Sequence, residues 1–207
     1  MMRLSLQAAM MQAAIAFMIV ASAGFAQEAP VQPPSQAEVI LSGVSPERFN
    51  PTYGTAFFRA SGAYFPADPR DVAVLIGDRQ LPAGNLSVTR RIVAANYVMP
   101  AGPNVMTLRA WDNSGQVLTR ETRLWAGNLT LEVAVVDGLG NPVGEGELTA
   151  RLAADPAVSA IVAVREGRAE VVNLPDEEIL LEVSHPDGRR GTATARASER
   201  RASVVLR

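Results

Sequence analysis

Short apolar runs with a period of two are the feature that most limits what this chain can fold into. Val72, Val74 and Ile76 fall on one side of an extended segment, and Leu131 and Val133 do so in another. Period two is typical of a half-buried strand, whereas an amphipathic helix repeats every 3.6 residues. Turn residues separate these runs at intervals of about 8 to 12 residues, the spacing of a β-sandwich. The sequence therefore predicts an all-β fold.

Composition removes several kinds of chemistry. The chain has no cysteine and one histidine, His185, and all 19 of its basic residues are arginine. Disulfides, thiolate zinc sites and cysteine nucleophiles are excluded, and one histidine cannot build a multi-histidine metal centre. A net charge of −2 gives no general attraction to nucleic acid. We predict no catalytic residue, no metal and no cofactor, and hence no enzyme.

The first 26 residues have the organisation of a secretory signal peptide. Arg3 precedes an apolar run from residue 4 to about residue 20, and small residues fill positions 21–24, with Gly24 and Ala26 at the −3 and −1 positions before Gln27. We predict cleavage there and a periplasmic or secreted protein without a stable membrane span. An uncleaved anchor is the alternative, because the run approaches the roughly 20 residues that a spanning helix needs.

The remaining chain divides into three parts. Residues 27–37 contain three prolines and no apolar periodicity, which indicates an extended linker. Residues 38–126 are expected to form one sandwich of five or six strands, and residues 127–207 a second sandwich of seven, with the boundary near Gly127. Each domain of 80 to 90 residues is small and has no disulfide, so it must close its own core or pack against its neighbour.

Residues 38–126 contain a series of turn and strand motifs in a characteristic order. These are Val-Ser-Pro at 44–46, Gly-Thr at 54–55, Ser-Gly-Ala-Tyr-Phe at 61–65, an apolar run ending in Gly at 72–77 and Met-Pro-Ala-Gly at 99–102. This order resembles the IPT/TIG-type immunoglobulin-like domain. The resemblance implies a spacer or binding module without catalytic residues.

Residues 129–207 are similar to another small sandwich family, the carboxypeptidase-regulatory-like, or transthyretin-like, domains. The matching stretches are 129–143, 166–175 and 179–188, whereas Gly-Glu-Gly at 144–146 departs from the family pattern. The resemblance implies a folding or interaction accessory without an active site.

Two kinds of polar feature could be functional sites or simple turns. His185 with Asp187 would suit acid–base catalysis, but no nucleophile motif accompanies them and the Asp-Gly step indicates a turn. The Asp- and Asn-rich segments 112–115 and 137–141 offer oxygens to calcium, yet neither forms a complete calcium loop. We predict β-turns at all three places.

The last 19 residues are unexpectedly basic. Residues 131–188 carry twelve acidic side chains and three arginines, whereas residues 189–207 carry six arginines and one acid. We predict a basic hairpin formed by strands 192–197 and 202–206, which contacts a polyanion or an acidic partner or pairs with the acidic strands of its own domain. Its candidate contact residues are Arg189, Arg190, Arg196, Arg200 and Arg201.

These features favour an exported, non-catalytic binding or scaffold protein of the bacterial envelope, whose edge strands dock a protein partner. The alternative is a carbohydrate-binding module, which would need a platform of exposed aromatic residues. Aromatic residues make up 5% of the chain, and Trp111 and Trp125 are expected in a core or at the domain boundary. Nucleic acid is not an expected partner, because no aromatics alternate with the arginines.

Cleavage of the signal peptide is directly testable. Mass spectrometry of the exported protein should find Gln27 at its N-terminus, in a chain of 181 residues. Recovery of residues 1–26 on the exported protein would instead support the membrane anchor.

Overall fold

A computed structural model describes residues 38–207, so the predicted signal peptide and linker lie outside the described residues. These residues form sixteen β-strands and three single-turn 3₁₀ segments, with no α-helix among them. In the same residues, no helix is present that could cross a membrane. The predicted all-β fold is confirmed.

The first nine strands, between residues 38 and 127, form two sheets. They are β1 (Glu38–Ser42), β2 (Phe49–Pro51), β3 (Tyr53–Ser61), β4 (Val72–Ile76), β5 (Arg79–Gln80), β6 (Leu86–Val88), β7 (Ile92–Val98), β8 (Gly102–Trp111) and β9 (Val117–Gly127). Five or six strands were predicted, and that number is wrong. Strands of two or three residues, such as β5, are too short to show an alternating pattern.

The two sheets face each other across one apolar core. One has the order β1-β3-β7-β6 and the other β2-β9-β8-β4-β5. Phe58 and Val93 of the first sheet meet Leu108 and Val74 of the second in the same buried cluster. Phe65, from the turn after β3, is fully buried there. The first edge segment is split between the sheets: β1 pairs with β3 on one sheet, and β2 runs parallel to β9 on the other. This arrangement is typical of an immunoglobulin-like sandwich.

The last seven strands form a second sandwich. They are β10 (Leu129–Val136), β11 (Glu145–Leu152), β12 (Ser159–Arg165), β13 (Arg168–Leu174), β14 (Glu178–Ser184), β15 (Arg190–Arg196) and β16 (Arg201–Val205). Their hydrogen-bonded order is β15-β14-β11-β12-β13-β10-β16. However, β12 and β13 pair only at Arg165 and Arg168. The sheet therefore folds there into a four-stranded face, β15-β14-β11-β12, and a three-stranded face, β13-β10-β16, around the second core.

The predicted basic hairpin at the C-terminus is wrong. β15 pairs with β14 on the four-stranded face, whereas β16 runs parallel to β10 on the three-stranded face. The short connection at residues 197–200 crosses between the faces instead of turning back along one sheet. The faces meet again where the backbones of Arg190 and Arg207 exchange hydrogen bonds of 3.2 and 3.0 Å.

Side chains from the first sandwich enter the core of the second. Phe49 of β2 and Trp125 of β9 belong to the buried cluster of the second sandwich. The indole Nε1–H of Trp125 donates to Asp155 Oδ2 at 3.1 Å, and the Ser159 amide donates to the Glu47 carbonyl at 3.1 Å. Only residue 128 separates β9 from β10. The two sandwiches are consequently packed directly against one another.

Gly127 tests this close junction. A Cβ at Gly127 would collide with the backbone of Leu174 and Pro175, so Gly127→Ala should lower the free energy of unfolding by about 2–3 kcal/mol. Gly138→Ala is the matched control, because its Cβ would lie in open space. Denaturant unfolding of the two variants measures the difference, and equal midpoints would contradict the close junction.

Candidate binding surfaces

The five candidate arginines do not form one patch. Arg189 and Arg190 lie where β15 begins, whereas Arg196, Arg200 and Arg201 surround the connection at its other end. The seven residues of β15 separate the two groups by about 20 Å. A single polyanion contact by all five side chains would therefore have to span the length of the strand.

Two of these arginines are paired with acidic groups of the same sandwich. Arg201 Nε lies 3.5 Å from Glu132 Oε2 on the neighbouring strand β10. Arg189 Nε donates to Asp187 Oδ2 at 2.8 Å. Both pairs are solvent-exposed, so each contributes little to stability. The Arg201–Glu132 pair joins the basic segment to an acidic strand of its own domain, which is the alternative that the sequence left open, whereas the Arg189–Asp187 pair lies within a single turn.

His185 and Asp187 belong to the turn between β14 and β15. The imidazole Nδ1 lies 2.7 Å from Asp187 Oδ1, and the same oxygen accepts the Arg189 amide at 3.0 Å. Chiefly because of that amide, and with help from the His185 and Arg189 side chains, the pKa of Asp187 falls to about 2. Gly188 has a φ of 94°, which a tight turn requires here. The group holds a turn together.

The suspected calcium segments also behave as turns. Asp137 Oδ1 accepts the backbone amides of Leu139 and Asn141, both at 2.9 Å. Asp112 Oδ1 accepts the amides of Ser114 and Gln116 in the same way. The pKa of Asp112 is lowered chiefly by the Ser114 hydroxyl, which donates to Oδ1 at 2.6 Å, and further by these amides, whereas the pKa of Asp137 is lowered chiefly by the Asn141 amide. Across residues 38–207, no cluster of three or more acidic or histidine side chains is placed to hold a metal ion.

Exposed aromatic side chains are scattered over the first sandwich. Tyr53 is 71% exposed at the start of β3, and Tyr64 lies beyond the other end of that strand, where Arg91 stacks on its ring at 5.0 Å. Trp111 is 54% exposed at the end of β8 on the other sheet, so its expected place in a core or boundary is wrong. Trp125 is buried at the junction, and Tyr97 is buried in the first core. Phe57, which is 39% exposed, lies on β3 between Tyr53 and Tyr64, so the exposed rings are spread along β3 and onto the other sheet.

β12 leaves an apolar edge largely unpaired in the described part of the chain. β12 pairs with β11 along its whole length, but on its other side only Arg165 is paired, with Arg168 of β13. Its sequence, Ser-Ala-Ile-Val-Ala-Val-Arg, has no charge before the final residue and no proline. Ile161 is 64% exposed. Soluble proteins usually protect such an edge with charges, prolines or a covering segment.

Other edges are protected in these ways. The edge strands of the first sandwich are only two to five residues long, and β2 ends in Pro51. β15, the opposite edge of the four-stranded face, has an arginine at each end. β16 also approaches β15 so closely that a Cβ at Gly191 would collide with the Val205 carbonyl. The sequence did not single out the edge of β12, because its alternation indicates a strand but not which strands flank it.

Comparison with known proteins gives no family assignment. No protein-family model matches the chain, and no curated protein matches it. Among solved structures, the D312A form of BcpA, the major pilin subunit of Bacillus cereus, is 10% identical with a TM-score of 0.33, covering 82% of this chain and 69% of that one. The gamma-CGTase from alkalophilic Bacillus clarkii is 14% identical with a TM-score of 0.37, covering 84% and 28%.

A third similar structure is the 35 kDa C-terminal fragment of the major pilin GBS80 of Streptococcus agalactiae. It is 8% identical with a TM-score of 0.30, covering 83% of this chain and 99% of that fragment. All these TM-scores are low, and the architecture described above follows from the strand pairing of this chain itself.

The turn at Asp187 predicts a pH effect. Its pKa falls from 3.8 to about 2 on folding, so the stabilising contribution of the carboxylate is present above pH 3.8 and is lost as the pH falls to about 2. Asp187→Asn should lower Tm at pH 5, and the difference from the wild type should shrink towards pH 2. Thermal melts across this range measure it, and a difference independent of pH would contradict the assignment.

Proposed function

We propose that this chain is an exported, non-catalytic scaffold protein of the bacterial envelope that binds a protein partner by strand addition at β12. The observation that supports this most directly is the unprotected apolar edge of β12. In strand addition, backbone hydrogen bonds from an exposed edge supply affinity, and side chains on alternate residues supply specificity.

An unpaired apolar edge of this kind promotes aggregation of a protein that has no bound partner. Unpaired amide and carbonyl groups beside apolar side chains template the pairing of other chains and lead to aggregation. The other edges of both sandwiches are very short, charged or covered, whereas residues 160–164 of β12 carry no charge and no proline and have no strand beside them in the described part of the chain. A partner strand that covers β12 accounts for this difference.

Export is the second element of the proposal. It rests on the order of charge, apolar run and small residues in positions 1–26, which is typical of secretion. Periplasmic and secreted forms both fit this pattern. Carbohydrate binding lacks a favouring observation, because the exposed rings of Tyr53, Tyr64 and Trp111 lie at separate places.

Photocrosslinking in the native host tests the proposal. A photoreactive residue at position 163, on the exposed edge of β12, should crosslink the exported protein to a distinct protein that mass spectrometry identifies. The same residue at position 194, on the protected edge strand β15, is the control and should give little of this product. Recovery of polysaccharide alone from position 163 would contradict the proposal.

A further inference from the structure

We infer that the recess between β12 and the three-stranded face receives an extended segment of the partner, with small apolar residues at alternate positions and an acidic residue at one end. This inference rests on the proposed function and names the form of the partner at the same edge. It depends on the shape of the recess, the direction of the free backbone groups and two unpaired arginines.

The recess has a volume of about 950 Å³ and is closed at both ends of β12. Val162 and Ala163 of β12 line one side, and Glu132, Glu170 and Arg201 of the three-stranded face line the other. At one end the Ser159 amide is bonded to the Glu47 carbonyl, and at the other Arg165 is paired with Arg168. The free edge therefore spans residues 160–164, about 17 Å of strand.

Backbone groups of β12 point into this recess. The Ser159 amide points away from β11, towards Glu47, and Arg165 pairs on that same side with Arg168. Alternate residues of a strand direct their amide and carbonyl groups to the same side. Ile161 and Ala163 consequently present theirs to the recess, and neither has a hydrogen-bond partner there among residues 38–207.

Side chains of β12 specify an alternating occupant. Ala160 and Val162 face inwards and are only partly buried against the second core. Ile161 and Ala163 face outwards and are exposed. Because directly opposite residues of neighbouring strands share a face, the occupant would place apolar side chains beside Ala160 and Val162 and thereby extend the core.

Charge at the closed end specifies an acidic residue. Arg165 and Arg168 lie directly opposite each other, where like charges are destabilising. Glu145 lies opposite Arg165 on β11, but neither arginine forms an ion pair within the described residues. A carboxylate of the occupant near these two guanidinium groups would relieve the repulsion and form charge-assisted hydrogen bonds.

In the register symmetric about Val162, a second copy of this chain does not fit the same edge. Antiparallel pairing of two β12 strands about Val162 would place Ser159 of one copy opposite Arg165 of the other. Ser159 would then occupy the position that Arg168 already holds beside Arg165, and Arg165 would occupy the position that Glu47 holds beside Ser159. An extended segment carries no such obstruction.

Peptide titration of the isotopically labelled exported protein tests the inference. The probe is acetyl-Glu-Val-Thr-Val-amide, which in antiparallel pairing places its valines opposite Val162 and Ala160 on the inward face and its glutamate opposite Ala163, beside Arg165. One control replaces the glutamate by glutamine, and the other, acetyl-Glu-Val-Val-Thr-amide, removes the alternation. The probe should shift the amide resonances of Ile161 and Ala163 and bind more tightly than either control.

Matched variants locate the site. Ala163→Pro removes an amide that points into the recess and should weaken probe binding at least tenfold, whereas Thr194→Pro, the equivalent change on β15, should leave it unchanged. Arg168→Gln should remove the preference for glutamate over glutamine. Circular dichroism melts establish that the variants fold, and Arg168→Gln keeps the test decisive if either proline variant does not.

Contrary outcomes separate this inference from the proposed function. Shifts confined to β15, equal binding of all three peptides, or crosslinks from position 163 to another copy of this chain would overturn the extended-segment inference. In the first two cases, a crosslink from position 163 to a distinct protein would still support the scaffold function, whereas crosslinks to another copy alone would overturn both. Crosslinks that map to an extended, alternating segment of that protein would support both.

Discussion

The chain has no cysteine and so cannot form a disulfide. Both sandwiches are therefore held together by the burial of alternate side chains between two sheet faces. Each core draws large apolar side chains from both of its faces, such as Phe58 and Leu108 in the first and Leu131 and Leu148 in the second. The second core also contains Phe49 and Trp125 from the first sandwich. Apolar burial is therefore shared across the junction, as suits two small domains without covalent crosslinks.

Local patterns predicted the strands better than their pairing. Met106, Leu108 and Ala110 alternate in the sequence and are all fully buried in β8, because the period of two follows from strand geometry alone. The parallel pairing of β10 with β16 joins segments about 70 residues apart, and no local feature reveals it. The short connection between two basic segments at the C-terminus therefore predicts a hairpin, although the two strands, β15 and β16, belong to different faces.

The same limit applies to the proposed binding surface. The sequence indicates Arg189, Arg190, Arg196, Arg200 and Arg201 as candidate contact residues, because an uneven distribution of charge can be recognised in the linear sequence. The recess beside β12 arises instead from strands that diverge after a single pair at Arg165 and Arg168, which depends on how the whole sheet folds. Arg201 is common to the two surfaces, because it is one of the five predicted arginines and also lines the recess beside β12.

The single residue between β9 and β10 has a geometric consequence for any assembly. With Gly127 against Leu174 and Trp125 in the second core, little slack exists between the strand that ends the first sandwich and the one that begins the second. The direction of β12 is thereby fixed relative to β1, where the described chain begins. A strand docked at β12 would inherit that direction, so a bound partner would have one fixed orientation relative to the first sandwich.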